Sequence, residues 1–259
     1  MSLDSQLLSG IPDFSAKKEY LKRKLSLINI EPTDLQSDRL LAYYYLLTEK
    51  NKVMNLTAIT EFEEVVVKHF MDSLALLSYS GRMISSNELP LKVLDLGTGA
   101  GLPGIPLKIM LGDNVNFVLA DSLNKRIRFL EEVIEALGLV NITAIHGRAE
   151  DLAHDKKYRE QFDYCVSRAV ANLTTLSEYT LPFVKPGGEF IAYKSVGASD
   201  EEEQATRAIG ILSGKVTHRE NFVLPETDFD RSLIIIKKIK PCPGKYPRKA
   251  GLPSKEPLK

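Results

Sequence analysis

The strongest chemical signal in the sequence is a glycine-rich segment, VLDLGTGAGLPG, at residues 93–104. Its first half is an apolar strand pattern that leads directly into Gly97, Gly99 and Gly101, and a helical pattern follows. Glycine permits tight turns and lets a ligand approach the backbone closely. The segment also matches the dinucleotide fingerprint G-x-G-x-x-G, with Asp121 about 20 residues downstream. These residue types at this spacing indicate a loop that binds a nucleotide-containing ligand.

Two acidic residues near this loop favour a cationic cofactor over a dinucleotide. Asp95 precedes the first glycine by two residues and would repel a pyrophosphate, but it suits the ammonium and sulfonium groups of S-adenosylmethionine. Asp121 closes the next predicted strand, where its two oxygens can accept both ribose hydroxyls, and Ala149 and Glu150 fit the adenine edge. Local alternatives remain: Asp95 as a loop cap, Asp121 as a helix N-cap, and Glu150 in a turn. We predict that S-adenosylmethionine is the cofactor.

The patterns around the loop predict an α/β fold. Short apolar runs predict strands at residues 93–96, 116–120, 142–146, 164–167, 189–193, 216–222 and 233–236. Helical patterns separate the earlier strands, at residues 103–111, 123–137, 173–184 and 199–212. Such alternation produces a largely parallel sheet, whereas the short segment PETDFDR permits only an antiparallel hairpin at one edge. Seven strands that end in a hairpin are typical of class I, Rossmann-like methyltransferases.

Three segments follow one another along the chain. We predict a helical cap at residues 1–85, a cofactor-binding domain at 86–240 and a basic, proline-rich tail at 241–259. The helices of the cap are expected at residues 20–28, 34–50 and 61–79. The cap is expected to present Asn55, Lys68 and His69 to a substrate, although Asn55 and His69 could equally make local hydrogen bonds. His69 and Asp72 are three residues apart and could form a local pair.

Several classes of protein are excluded. Cys165 and Cys242 are the only cysteines, so neither a disulfide framework nor a cysteine-rich zinc site is possible, and we predict no metal. No apolar run approaches the roughly 20 residues that span a bilayer. The N-terminus lacks the basic start and apolar core of a signal peptide. We therefore expect a cytoplasmic protein.

Five segments together resemble a known family. They are KNKVMNLTAIT, KHFMDSLALL, VLDLGTGAGLPGIPLKI, DSLNKRIRFLEEV and FDYCVSRAVANL, and the tail KYPRKAGLPSKEPL adds to them. The sequence closely resembles the bacterial 16S ribosomal RNA guanine-N7 methyltransferases, the RsmG or GidB family, over nearly its whole length. NLTAIT and KHFMDS lie outside the general methyltransferase core, so the resemblance is specific.

The resemblance implies an activity and a set of site residues. It implies methylation of N7 of one guanosine in 16S rRNA near the decoding region, in the small subunit or an assembly intermediate. The family's cofactor contacts fall on Gly97, Leu102, Ala149, Glu150 and Arg168. Its basic residues at the pocket mouth, which would position the substrate, fall on Arg148 and Arg168.

The sequence lacks the motifs of other nucleic-acid methylation chemistries. The segment SRAVAN after the fourth predicted strand contains neither the Asn-Pro-Pro-aromatic motif for adenine amines nor a Pro-Cys nucleophile for pyrimidines. Guanine N7 has an in-plane lone pair and no proton to remove. Its in-line attack on a sulfonium methyl therefore needs no general base, only alignment in a dry pocket.

Charge is divided unevenly along the chain. The 34 basic and 34 acidic residues cancel, but residues 237–259 contain eight Lys/Arg, one Glu and five of the 13 prolines. The net charge is therefore +7 in this segment and −7 in the rest, so the zero total does not exclude an RNA partner. The tail is either a solvated, disordered end or a basic arm that lies along rRNA phosphates and leaves cofactor affinity unaffected. We expect a monomer.

Two other functions are compatible with parts of the sequence. An NAD(P)-dependent oxidoreductase would use the glycine fingerprint, but Asp95 and the terminal hairpin disfavour it. A non-catalytic rRNA-binding or assembly factor would retain the glycine loop as a relic, which the intact set of loop residues disfavours.

Overall fold

A computed structural model describes residue 3 and residues 5–81, 90–168, 171–195 and 199–258. The predicted boundary between residues 85 and 86 lies outside these ranges.

The N-terminal segment is helical, as its apolar spacing predicts. Its helices are α1 (Ser5–Ser9), α2 (Phe14–Ser26), α3 (Asp34–Met54), α4 (Phe62–Val65) and α5 (Asp72–Tyr79), with a π-helical turn at Val66–Met71 between the last two. Helix α3 begins with a capping box, in which the Thr33 hydroxyl accepts from the Gln36 N–H and the Gln36 side chain accepts from the Thr33 N–H. The π-helical turn was not predicted, because it leaves the apolar spacing of residues 61–79 almost unchanged.

The rest of the described chain alternates strands and helices. The strands are β1 (Leu91–Leu96), β2 (Val115–Asp121), β3 (Ile142–His146), β4 (Phe162–Arg168), β5 (Val184–Lys194), β6 (Gly214–Val223) and β7 (Asp230–Lys238). The helices are α6 (Gly104–Leu111), α7 (Asn124–Ala136), α8 (Ala149–Leu152), α9 (Leu173–Thr180), α10 (Ser199–Ile211) and α11 (Leu252–Lys255), and a 3-10 turn at Leu181–Phe183 follows α9. Strand β5 begins at Val184, inside the predicted helix 173–184, because the chain turns at Leu181–Phe183.

The seven strands form one sheet in the order β3-β2-β1-β4-β5-β7-β6. Strands β1 to β5 pair in parallel, and β7 pairs antiparallel with both β5 and β6. The predicted terminal hairpin is confirmed, with β6 at the edge and β7 inserted beside β5. This order places the C-terminal ends of β1, β2 and β4 together, and ligands bind at that edge in open α/β sheets.

Different parts of the chain pack on the two faces of the sheet. The N-terminal helices share one apolar core with Val93 and Val166 of the sheet, so the cap is continuous with the cofactor domain. On the other face, Leu94 and Cys165 lie in a second core that also contains Cys242 and Tyr246 of the tail. The three predicted segments follow one another along the chain, but they do not have separate hydrophobic cores.

The described residues of the tail are packed against the body. Among the described residues of the basic segment 237–259, which also includes the end of β7, the exposed cations are Lys237, Lys240, Lys245, Lys249 and Lys255. Lys238 is buried beside Glu160, and Arg248 pairs with Glu178, so internal partners neutralise two of the cations that were counted toward RNA binding. Among the described residues, none of the helices combines the length and apolar composition that a bilayer crossing requires.

Candidate functional site

Asp95 lies beneath the glycine loop and holds it in shape. Gly97 and Gly99 have positive φ angles of 70° and 61°, which favour glycine. The Asp95 Oδ2 atom accepts hydrogen bonds from the Thr98 hydroxyl at 2.7 Å and from the Gly104 N–H at 2.8 Å. Its side chain is fully buried, and burial raises the pKa of Asp95 to about 6. Asp95 does not line the cavity described below. This placement favours the loop-cap alternative over direct contact with a cofactor.

Gly101 also lies behind the cavity wall rather than in it. Its φ angle is +105°, and a Cβ atom at this position would lie 2.6 Å from Cγ1 of Ile105 and 2.9 Å from Cδ2 of Leu130. Real Cβ atoms essentially never make contacts this short. Gly101 therefore permits the loop to pack closely against α6 and α7.

A cavity of about 730 Å³ opens at the C-terminal ends of β1, β2 and β4. This volume is in the usual range for sites that bind small molecules and cofactors. The loop and the end of β2 contribute four of the predicted site residues, Gly97, Gly99, Leu102 and Asp121. Four more line the cavity around α8 and at the end of β4: Arg148, Ala149, Glu150 and Arg168.

Asp121 presents acceptor atoms to the cavity, as a ribose site requires. Its Oδ2 atom accepts from the Gly99 N–H at 3.0 Å, and its Oδ1 atom accepts from the Leu123 N–H at 2.9 Å. The N-cap residue of α7 is Leu123, so Asp121 is not the N-cap of that helix. The Arg126 Nη1 atom lies 3.1 Å from Asp121 Oδ2. A carboxylate has about four acceptor positions, so a ligand that displaced Arg126 would find two of them open.

Glu150 joins the cavity to the C-terminal tail. It lies in the first turn of α8 and is buried, and its Oε1 atom accepts the Gly251 N–H at 2.8 Å. Gly251 and Ser254 line the same cavity. The tail therefore forms part of the cavity wall, in contrast to the expectation that it serves RNA alone.

Arg168 is held in the cavity by the helical cap. Its Nη1 atom donates to Asp72 Oδ2 at 2.9 Å and to the Lys68 carbonyl at 3.2 Å. The other oxygen of Asp72 accepts from Nε of Arg231 at 2.8 Å. Asp72 is only 2% exposed, so both ion pairs are shielded from water. Asp72 thereby fixes the guanidinium of Arg168 at the edge of the cavity.

His69 lines the cavity in its neutral form. Its Nε2 atom lies 2.9 Å from the hydroxyl of Thr57, and its buried Nδ1 atom has no hydrogen-bond partner among the described residues. Burial, together with the positive charge of Arg168, lowers the pKa of His69 to about 4. The local pair of His69 with Asp72 is not formed, because Nε2 of His69 contacts Thr57, its Nδ1 has no partner among the described residues, and Asp72 binds arginines.

The other cationic and polar candidates differ in accessibility. Arg148 is exposed and lines the cavity, and its guanidinium makes no hydrogen bond among the described residues, so the side chain is available to a substrate. Lys68 pairs with Glu64 on its own helical segment. Asn55 is the C-cap of α3 with a φ angle of 50°, which supports its local structural role.

Sequence reasoning missed several cavity residues. Thr57, Arg126, Tyr179, Gly251 and Ser254 line the cavity but were not predicted. Thr57 and Gly251 lie in the NLTAIT and KYPRKAGLPSKEPL segments that carry the family resemblance, so those segments contained a signal. Arg126 lies in DSLNKRIRFLEEV, another of those segments, whereas Tyr179 lies in none of them.

The fold and the cavity together define a class of protein. The class is that of S-adenosylmethionine-dependent methyltransferases with a class I, Rossmann-like fold. The solved structure of the citrinin polyketide synthase CMeT domain has a similar fold, with a TM-score of 0.50 and 14% identity over 77% of this chain and 66% of that one.

Sequence comparison identifies the family. The family model described as GidB, rRNA small subunit methyltransferase G, matches residues 36–232. Ribosomal RNA small subunit methyltransferase G of Lachnoclostridium phytofermentans is 54% identical over 83% of this chain and 87% of its own length. The protein of the same name from Alkaliphilus oremlandii is 49% identical over 93% and 99%. The chain belongs to this family and is an S-adenosylmethionine-dependent rRNA methyltransferase.

Proposed function

We propose that the protein transfers a methyl group from S-adenosylmethionine to N7 of one guanosine in 16S rRNA. The observation that carries this proposal is the state of the titratable groups around the cavity. Among the described residues that line it, Asp121 and Glu150 are bound by the chain's own donors, and His69 has a pKa of about 4. None of these groups is suited to remove a proton from a substrate near neutral pH.

Guanine N7 is the acceptor that needs no such group. Bound S-adenosylmethionine supplies a methyl group on a positively charged sulfonium, and the in-plane lone pair of N7 can displace it in line without losing a proton. The residues of the protein then have to align the base and exclude water. The exocyclic amines of guanine and adenine lose a proton when they are methylated, so they fit this cavity less well.

The cofactor contacts follow from the cavity wall. We place the amino-acid end of the cofactor on the backbone of Gly97 and Gly99, its ribose on Asp121, and its adenine beside Ala149 and Glu150. Asp95 supports the loop from behind, and Gly101 permits its packing. Leu102 contributes apolar surface to the same wall.

The substrate contacts are assigned to the two arginines. Positive charge moves from the cofactor to the methylated base during transfer, so Arg148 and Arg168 would not stabilise the acceptor by their charge. They suit the guanine O6 atom and the RNA phosphates as hydrogen-bond donors. Arg148 is exposed, which suits it to bind an RNA phosphate. Arg168 is fixed by Asp72, which suits it to bind the guanine base.

The wider setting follows from the substrate. N7 lies in the major groove, which is deep and narrow in A-form RNA, so the target guanosine would be unpaired or locally opened. We place the reaction on the small subunit or an assembly intermediate in the cytoplasm, with the protein acting as a monomer.

A pH profile of single-turnover methyl transfer tests the choice of acceptor. With small subunits and excess enzyme, we expect the rate constant to stay constant within a factor of about two between pH 6.5 and 8.5, since no substrate proton is removed. A rate constant that rises about tenfold per pH unit would show that a proton has to leave first, and it would overturn the assignment to N7.

A further inference from the structure

The C-terminal tail follows a defined path across the body. Arg159 donates from Nη2 to the Cys242 carbonyl at 3.1 Å and from Nη1 to the Tyr246 carbonyl at 2.8 Å. The Cys242 N–H donates to Glu160 Oε1 at 2.6 Å. Both Cys242 and Tyr246 are less than 10% exposed. The segment is thus fixed by polar and apolar contacts before it reaches the cavity.

An ion pair between Arg248 and Glu178 anchors the next part of the tail. Oε1 of Glu178 accepts from the Arg248 backbone N–H at 2.8 Å and from its Nε at 2.9 Å, and Oε2 accepts from Nη2 at 2.7 Å. Glu178 lies on α9 and is fully buried. Two parallel N–H···O bonds between a guanidinium and a carboxylate fix orientation as well as distance. Arg248 therefore sets the direction in which the following residues run.

Those residues end in the wall of the cofactor cavity. Gly251, three residues after Arg248, donates its N–H to Glu150, and its φ angle of +82° directs the chain back toward α9. The Thr175 hydroxyl donates to the Pro253 carbonyl at 3.1 Å, and Pro253 is buried. Gly251 and Ser254 then line the same cavity as the glycine loop.

We infer that residues 242–255 are a strap that completes the cofactor site, and that the Arg248–Glu178 pair and the Thr175–Pro253 bond hold it in place. The inference rests on the proposed position of the adenine beside Glu150. Arg248 acts as a positioning residue: it touches neither cofactor nor substrate, but it places the Gly251 N–H that orients Glu150. The strap thus joins cofactor binding to a segment whose exposed lysines are free to contact RNA.

The test measures the dissociation constant for S-adenosylmethionine by calorimetry on full-length variants. Arg248→Ala should raise it about tenfold or more, because charge-assisted hydrogen bonds that hold the strap are lost. Thr175→Val is nearly isosteric, lies outside the cavity wall and leaves the ion pair intact; it should raise the constant about threefold. The control is Lys215→Ala, which removes an exposed charge at the start of β6, outside the cavity wall, and should leave the constant unchanged.

A second readout separates positioning from general stability. The thermal unfolding midpoint without cofactor reports stability alone, so a purely structural strap would lower this midpoint and leave the dissociation constant of the folded protein unchanged. That result overturns the inference, as does wild-type affinity in Arg248→Ala. Should Arg248→Ala not fold because Glu178 is left buried without a partner, Thr175→Val decides, and wild-type affinity there overturns the inference. Cofactor affinity is measured without RNA, so methylation at another RNA atom would refute the proposed function and leave the strap untouched.

Discussion

The glycines around the cofactor cavity differ in what surrounds them. A Cβ atom at Gly99 would meet no protein atom within 4 Å, whereas one at Gly101 would collide with Ile105 and Leu130. Gly99 borders the cavity and Gly101 borders the core. Substitution at Gly99 therefore affects ligand binding, and substitution at Gly101 affects folding.

Gly99→Asp should abolish binding of S-adenosylmethionine while the protein stays folded. The new side chain would enter the cavity and place a second carboxylate beside Asp121, whose Oδ2 accepts the Gly99 N–H. Gly81→Asp is the matched control, because Gly81 has the same φ angle of 61°, equally open surroundings and no contact with the cavity. Calorimetry should show no binding for the first variant and wild-type affinity for the control. Normal affinity in Gly99→Asp would refute the site.

The lowered pKa of His69 predicts that the folded protein loses stability as the pH falls. Its pKa falls from about 6.5 to about 4 in the folded protein, so protonation favours the unfolded state. Its contribution to stability is complete above pH 6.5 and is lost as the pH falls toward 4. Between pH 7 and 4, wild type should lose up to about 3 kcal/mol more unfolding free energy than His69→Gln. Urea titrations measure both proteins.

Asp95 affects stability in the opposite direction. Its pKa is raised to about 6, so its protonation stabilises the folded state as the pH falls below that value. Asp95 is present in both proteins, so the difference between them isolates His69. Parallel stability curves for wild type and His69→Gln would contradict the buried, neutral imidazole.

At the scale of elements, the π-helical turn Val66–Met71 positions the cap against the sheet. It ends where Asp72 begins α5, and Asp72 receives Arg168 from β4 and Arg231 from β7. π-helical turns often occur at functional sites. Here the turn is followed directly by the carboxylate that connects the cap to two strands of the sheet.

Asp72→Asn should weaken this connection. We expect a loss of about 3 kcal/mol in unfolding free energy, since the buried carboxylate that pairs with two half-buried arginines loses its charge. The rate of methyl transfer should fall further than cofactor affinity, because Arg168 loses its orientation. Glu64→Gln is the control on the same helical segment. Loss of its exposed ion pair with Lys68 should lower the unfolding free energy by less than about 1 kcal/mol. An unfolding free energy for Asp72→Asn equal to that of the control would contradict this role.

Elements formed by local rules could be predicted, and contacts between distant segments could not. The strands and the glycine loop follow from apolar runs and glycine spacing that act within a few residues. The pairs of Asp72 with Arg168 and of Glu150 with Gly251 join residues 96 and 101 positions apart, so tertiary packing alone creates them. The position of Asp95 behind the loop also depends on packing, because its sequence position fits either side of the loop.

At the scale of the whole molecule, the unequal division of charge has a structural counterpart. Residues 237–259 carry the excess of basic residues, yet those that the structure describes are packed on the body, and Lys238 and Arg248 serve internal contacts. Lys249 and Lys255 remain exposed next to the strap residues that face the cavity. Of the exposed lysines of the tail, Lys249 and Lys255 are therefore the two that lie beside the cavity wall.

Replacing Lys249 and Lys255 together by Gln should weaken RNA binding and reduce the slope of log K against log salt by about 1 to 2. Each lysine lost is one phosphate contact fewer, while cofactor affinity should not change. The matched control replaces Lys92 and Lys215, which are exposed at the starts of β1 and β6. Filter-binding assays across a salt series measure the slope. Equal slopes in the two variants would show that the tail lysines do not contact RNA.

The location of the transferred methyl group tests the central claim most directly. Small subunits that lack the modification are incubated with the protein and methyl-labelled S-adenosylmethionine, and the labelled nucleotide is mapped and its methylated atom identified. We predict label on N7 of a single guanosine in 16S rRNA, and none when Gly99→Asp replaces the wild type. Label on another atom of the RNA, on protein or on a small molecule would contradict the proposed function.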